Sequence, residues 1–179
     1  MLLRRLFFAV GLGLFLTTAC HSAIGGETRK PVTRVLIQKQ DHKMKLLAAD
    51  GTEVAAYSVA IGPGGLGPKR KEGDMTTPVG RYHITMHQPS QYKIFLRLEY
   101  PTAEDFKRFN ALKAAGSLPA NARIGGDIGI HGPPVSVPGP LKGAMKLTDW
   151  TAGCIAVDDD EISEVARLVR DGTVVDIED

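Results

Sequence analysis

From residue 32 onward the apolar positions fall in short runs with the two-residue period of strands. Val35 and Ile37 share one face and Leu36 sits opposite, with Thr33, Arg34, Gln38 and Lys39 as polar neighbours. Asp41-His42-Lys43 reads as a polar turn. Met44, Leu46 and Leu47 resume an apolar strand, and Asp50-Gly51 is a hairpin turn into a third run, Glu53 to Ile61. This pattern predicts a three-strand meander. A glycine-rich loop, Gly62 to Pro68, follows it. Turn residues then lead into a strand over Tyr82–Met86, and a further strand is expected over Tyr92–Tyr100. His83 and His87 share parity on the Tyr82–Met86 strand and its exit, so they are expected on one face.

The period changes to that of a helix twice. Thr102-Ala103-Glu104-Asp105 caps a helix whose apolar face is Phe106, Phe109 and Leu112 and which Gly116 ends. Asp158-Asp159-Asp160-Glu161 opens a second helix, where carboxylates in the first turn favour the macrodipole. Ile162, Val165, Ala166 and Val169 give it a core face, Gly172 caps it, and Thr173–Ile177 is a final strand. Between the helices, Ile128-Gly129-Ile130 is a short strand. Pro133 to Thr148, with four prolines and two glycines, is a candidate lid or substrate loop. No repeat or linker appears. The fold class expected is a single mainly β domain with two helices, α+β.

The N-terminus follows another logic. Arg4-Arg5 precede an apolar run from Leu6 to Leu16, and small residues follow up to Cys20. This order reads as an export signal over residues 1–19, of general or of lipoprotein type, ending before Cys20. Residues 20–31 read as a flexible lead-in. A lipid anchor at Cys20 is one outcome, although Thr17 stands where lipoprotein signals usually carry Leu; simple secretion is the other. The expected location is the periplasm or cell envelope.

Composition narrows the function. The 179 residues carry a net charge of +2, 43% hydrophobic and 23% charged positions, 20 Gly and 11 Pro. Two of the positive charges lie at Arg4-Arg5, so the body is close to neutral and nucleic acid is not an expected partner. Gly62 to Gly67 matches G-x-G-x-x-G literally, but Pro68 and the polar run Lys69-Arg70-Lys71-Glu72-Gly73 cannot open the helix that a dinucleotide site needs. That run reads as a solvated loop, or as one facing an anionic substrate. His83 and His87 lack a third ligand at metal-binding spacing, so no metal is expected.

Two stretches carry chemistry. Ile128-Gly129-Ile130-His131-Gly132 is a strand ending on a histidine, and Thr151-Ala152-Gly153-Cys154 is a turn entering the apolar run Ile155-Ala156-Val157. Apart from Cys20, Cys154 is the chain's one cysteine, so in an exported protein it has no disulfide partner in the body. A thiol and an imidazole at two strand–loop junctions suit a nucleophile and its general base. Backbone N–H groups at Gly153 and Cys154 suit an oxyanion site, and Gly153 permits the tight backbone.

At these residues the chain resembles the L,D-transpeptidase catalytic domain, the YkuD-type family. Three blocks carry the likeness in the family's order: Gly73-Asp74-Met75-Thr76-Thr77-Pro78-Val79-Gly80-Arg81-Tyr82, Ile130-His131-Gly132, and Thr151-Ala152-Gly153-Cys154. It spans a catalytic domain over residues 32–178. The resemblance implies a β-sandwich-like fold, no cofactor, and action on peptidoglycan stem peptides. It implies Cys154 as nucleophile and His131 as general acid/base, the Gly132 carbonyl orienting the histidine, and Thr151 as polar support. It also implies acylation of Cys154 by carbapenems. The chain departs from the usual pattern at Ala152, where the family commonly has a second His, and at Ile155-Ala156-Val157. The Asp149-Trp150-Thr151 and Tyr100–Asp105 blocks resemble a branch that includes wall hydrolases. The activity implied is transpeptidation. The alternatives are hydrolysis on the same site (an L,D-carboxypeptidase, or an amidase releasing a wall-anchored protein) and a non-catalytic wall-binding module.

Overall fold

A computed structural model describes residues 29–179. The expected export signal, Cys20 and most of the lead-in lie outside the described residues. Eight strands form one sheet: β1 (Val32–Gln38), β2 (Lys43–Ala48), β3 (Glu53–Ser58), β4 (Gly80–Ser90), β5 (Lys93–Leu98), β6 (Gly129–His131), β7 (Ile155–Ala156) and β8 (Val174–Glu178). Their spatial order is β3-β2-β1-β8-β4-β5-β6-β7. The meander predicted for β1 to β3 is present and antiparallel. β8 enters the middle, parallel to β1 and antiparallel to β4.

The sheet curls until its two edges meet. Ala60, just past β3, exchanges both backbone hydrogen bonds with Ala156 of β7, at 2.9 and 2.8 Å. The enclosed face holds Val35, Ile37, Met44, Leu46, Ile84, Leu96, Ile130, Ile155 and Val175, all at most 1% exposed. Leu, Ile and Met side chains buried to this degree each contribute roughly 1.5–3 kcal/mol.

Helix α1 (Ala103–Ala114) follows Thr102, whose capping box with Asp105 is formed. Its apolar face differs from the expected one. Phe109 is buried but Phe106 is 46% exposed, and Asp105 turns inward to accept a hydrogen bond from Tyr82 Oη at 3.2 Å. The capping role of Asp105 and its tie to Tyr82 set the helix rotation. Helix α3 (Asp159–Leu168) buries Ile162 and Val165 in the core, as the spacing predicts. It ends at Leu168, and Gly172 lies in the turn beyond with φ +85°.

The Pro133–Thr148 segment is not irregular throughout. It holds a one-turn helix, α2 (Gly139–Lys142), and a 3-10 helix over Gly143–Leu147. Lys142 pairs with Asp159, and Lys146 with Asp158 and Glu161, so the segment is strapped to the start of α3. The acidic run thus serves this contact as well as the helix terminus.

β4 corrects another expectation. Its register against β5 shifts between Ile84 and Met86. The extra residue reverses the inside–outside alternation, so His87, opposite Leu96, lies on the face of Ile84 and away from His83. His83 pairs with Glu99 and His87 with Asp171.

Candidate active site

β6 and β7 run side by side and parallel, with Ile130 opposite Ile155 and His131 opposite Ala156. Extending that register back one residue sets Cys154 level with Gly129, on the same sheet face as His131. Both side chains line one cleft of about 710 Å³. Its walls come from four segments: loop 69–75, the β4–β5 hairpin at 88–97, loop 125–128 and turn 150–154. Residues 133–148 are not in the wall. The lid expected from sequence therefore does not cover this cleft, because its lysines hold it against α3.

The cysteine turn is fastened from behind. Trp150 and Thr151 donate backbone hydrogen bonds to the Ile61 carbonyl at 3.1 and 3.2 Å, and the Asp149 carboxylate accepts from Ile61 N at 3.0 Å. The Thr151 hydroxyl, buried, donates to the Cys154 carbonyl at 2.7 Å and accepts from Gly153 N at 3.2 Å. The Gly153 amide, expected from sequence to face an oxyanion, is thereby engaged inside the turn. Gly153 has φ +126°, and a side chain there would meet the Thr76 carbonyl oxygen at 2.8 Å. Both facts restrict the position to glycine.

Gly62 seals the same corner. A methyl at this position would lie 1.9 Å from the Met75 carbonyl oxygen and 3.1 Å from Gly153 Cα. Gly62→Ala is expected to destabilise the domain by about 1–3 kcal/mol, lowering the thermal midpoint by roughly 3–10 °C. Unfolding followed by circular dichroism checks this; an unchanged midpoint would contradict the packing described.

His131 is buried at 2% exposure. Its Nδ1 lies 2.7 Å from the Gly132 carbonyl oxygen. A carbonyl only accepts, so Nδ1 carries the proton and Nε2 of the neutral ring is the basic nitrogen. Burial lowers the His131 pKa below its ordinary 6.5, with the Gly132 bond opposing in part. Three aromatic rings fix the plane: Tyr92 stacks at 4.2 Å, Phe95 at 5.9 Å, and Trp150 meets it edge-on at 5.7 Å. None of these was singled out in the sequence as a partner of His131. Phe95 reaches it only through the β5–β6 register, Phe95 opposite His131.

The Cys154 thiol donates to the Asp127 carbonyl at 3.5 Å. Its resting partner is thus a backbone oxygen and not the imidazole. Burial pushes the thiol pKa above its ordinary 9.0. The Gly129 backbone N–H and the Lys69 charge offset this in part, and the Asp127 charge adds to it. Among the described residues Cys154 is the one free cysteine, and no group of His, Cys, Asp and Glu stands ready to hold a metal ion.

Lys69 departs from the solvated loop expected of its run. It is 8% exposed, and its Nζ reaches Asp74 Oδ1 at 2.6 Å and the Thr76 carbonyl at 3.4 Å. Burial works against the Asp74 carboxylate, but Lys69 and the backbone N–H groups of Arg70, Thr76 and Lys71 outweigh it and hold its pKa below the ordinary value. Arg70, by contrast, is exposed.

Similarity to known proteins agrees with this architecture. The L,D-transpeptidase catalytic domain model matches residues 32–177. No curated protein matches the chain in sequence. Among solved structures, the helical cell shape determining protein Pgp2 from Campylobacter jejuni is 26% identical with a TM-score of 0.58, over 84% of this chain and 48% of that one. Bd1075 from Bdellovibrio bacteriovorus is 21% identical with a TM-score of 0.55, over 83% and 48%. An L,D-transpeptidase from Mycobacterium tuberculosis is 14% identical with a TM-score of 0.52, over 83% and 58%. The chain spans about half the length of these structures. With the family model matched across the whole sheet, from β1 into β8, the chain belongs to the L,D-transpeptidase catalytic domain family.

Proposed function

We propose that the protein is a cysteine-dependent L,D-transpeptidase acting on peptidoglycan stem peptides, working in the cell envelope in wall biogenesis or remodelling. The observation that carries this reading is the shared cleft of the Cys154 thiol and an imidazole whose free nitrogen is Nε2. Family membership supplies the substrate class, and the likeness to a cell shape determining protein supports a wall-remodelling role.

In the resting site both groups are neutral, because burial disfavours the charged form of each. On substrate binding the thiol proton passes to His131 Nε2 and the sulfur attacks the scissile carbonyl. Contacts that are loose in the free enzyme tighten at this stage. The Cys154 amide receives the oxyanion, and Thr151 holds the turn that aims it. The C–N bond breaks, His131 returns the proton to the departing amine, and a thioester remains. An acceptor amine then gives up a proton to His131 and displaces the sulfur.

Hydrolysis is the second reading, and one observation favours it. Residues 133–148 leave the cleft uncovered, and Ala152 beside the thiol is exposed. Water therefore has a path to the thioester. Incubation with a disaccharide-tetrapeptide and mass analysis of the products separates the two. Cross-linked dimer supports transfer; tripeptide alone, with abundant acceptor present, means hydrolysis.

The two pKa directions also fix a pH profile. The competent state needs neutral His131, lost as pH falls through a pKa below 6.5, and protonated Cys154, lost as pH rises through one above 9.0. kcat/KM is expected to be flat between these limits and to fall outside them. An acid limb centred above 6.5 would show that His131 is paired with a negative charge in the resting enzyme.

A further inference from the structure

Lys69 is a cation sunk into the wall of the cleft. Its side chain is 3% exposed, so it is closed to a substrate carboxylate. Its Nζ lies 3.5 Å from where a Gly153 side chain would begin, which places the ammonium directly beside the residue preceding Cys154. An ammonium has three donors, and two of these are used, on Asp74 and on the Thr76 carbonyl. Asp74 is held by the backbone N–H groups of Arg70 and Lys71 on Oδ2 and by that of Thr76 on Oδ1, the oxygen that faces Lys69. The pair is therefore oriented, with its positive end toward the cysteine turn.

The other charged groups of the cleft are committed elsewhere. Glu72 pairs with Arg123, Arg97 pairs with Asp127, and His131 is neutral and bonded to Gly132. Among the described residues lining the cleft, Lys69 is the cation without an exposed partner. An ion pair this buried loses much of its energy to desolvation, so stability alone is a weak reason for it.

We propose that Lys69 is a positioning residue acting through Cys154: its ammonium is the fixed counter-charge of the thiolate, and Asp74 holds it in place. When the thiol proton passes to His131 Nε2, the sulfur gains negative charge in a site where burial opposes it. The imidazolium leaves again when it protonates the departing amine; Lys69 stays. This inference rests on the reading of Cys154 as nucleophile.

The test is the rate at which iodoacetamide alkylates Cys154 in the full chain between pH 6 and 10. The thiolate sulfur displaces iodide, and the product is read on the peptide containing Cys154 so that Cys20 does not enter. Lys69→Met is expected to move the profile upward and slow alkylation at pH 8 about tenfold, the equivalent of one pKa unit. Lys69→Arg keeps the charge and is expected to retain most of the rate. Asp74→Asn keeps the lysine and an amide oxygen that still accepts its Nζ–H, so the ammonium stays in place while the anion is removed, and alkylation is expected to be as fast as wild type or faster. A purely structural pair predicts instead that the Met and Asn variants are slowed alike. That outcome, or a Lys69→Met profile superimposable on wild type, overturns the proposal. If Lys69→Met does not fold, slowed alkylation in a folded Asp74→Asn protein overturns it by itself. The nucleophile reading fails separately: turnover retained in Cys154→Ala would sink that reading while leaving the alkylation comparison intact.

Discussion

Replacing Cys154 by Ala is expected to abolish turnover, with a loss of at least about 10⁴-fold, and to leave the domain folded. Loss of a nucleophile removes the covalent route entirely, so the residual rate reflects binding and electrostatics alone. The structural effect is small by comparison. The thiol makes one long hydrogen bond, to the Asp127 carbonyl, and the carbonyl of residue 154 remains bonded to Thr151. A weak neutral bond of this kind contributes at most about 1 kcal/mol, which moves the thermal midpoint of a domain this size by roughly 2–4 °C. The same variant should form no carbapenem adduct by intact mass, whereas the wild type should. Turnover near the wild-type rate would rule out the mechanism.

His131→Gln is expected to reduce kcat/KM by about 10²–10⁴-fold, the range for a lost general acid–base group. Gln approximates the volume of the ring, so the space against Tyr92, Phe95 and Trp150 stays filled; Ala would open a cavity there and confound the result. The loss should appear in kcat/KM and also as slower thiol alkylation near neutral pH, because the proton acceptor for the sulfur has gone. An unchanged alkylation rate would mean that the imidazole and the thiol do not act as a pair.

What the sequence revealed, it revealed locally. The meander β1–β3 was legible because alternation and the Asp50-Gly51 turn are encoded within a few residues. The two long helices were legible because Thr102 and Asp158 open them and Ile162, Val165 and Val169 recur at helical spacing. The Cys154 and His131 stretches stood out because a strand–loop junction with a reactive side chain is a short motif. What failed depended on partners far along the chain. Lys69 sits in a run that is otherwise polar and exposed, and only Asp74 together with the approach of Gly153 draws it inside. The face of His87 depends on a bulge that appears only when β4 is set against β5. The proline-rich segment is close to the site in sequence, and its displacement from the cleft follows from Lys142 and Lys146 meeting the carboxylates of α3. The aromatic box around His131 joins β5, β6 and the cysteine turn, which no local period announces.

β8 occupies the middle of the sheet, yet it is the last of the eight described strands in sequence. Without it the order splits into β3-β2-β1 and β4-β5-β6-β7, each with a raw edge where β8 belongs. A ribosome releasing this domain from its N-terminal end cannot complete the sheet until residues 174–178 have emerged. Closure of the sheet therefore waits on the last segment of the domain. Until then the sheet that sets Cys154 beside His131 lacks its central strand, and its two halves are joined only where Ala60 meets Ala156.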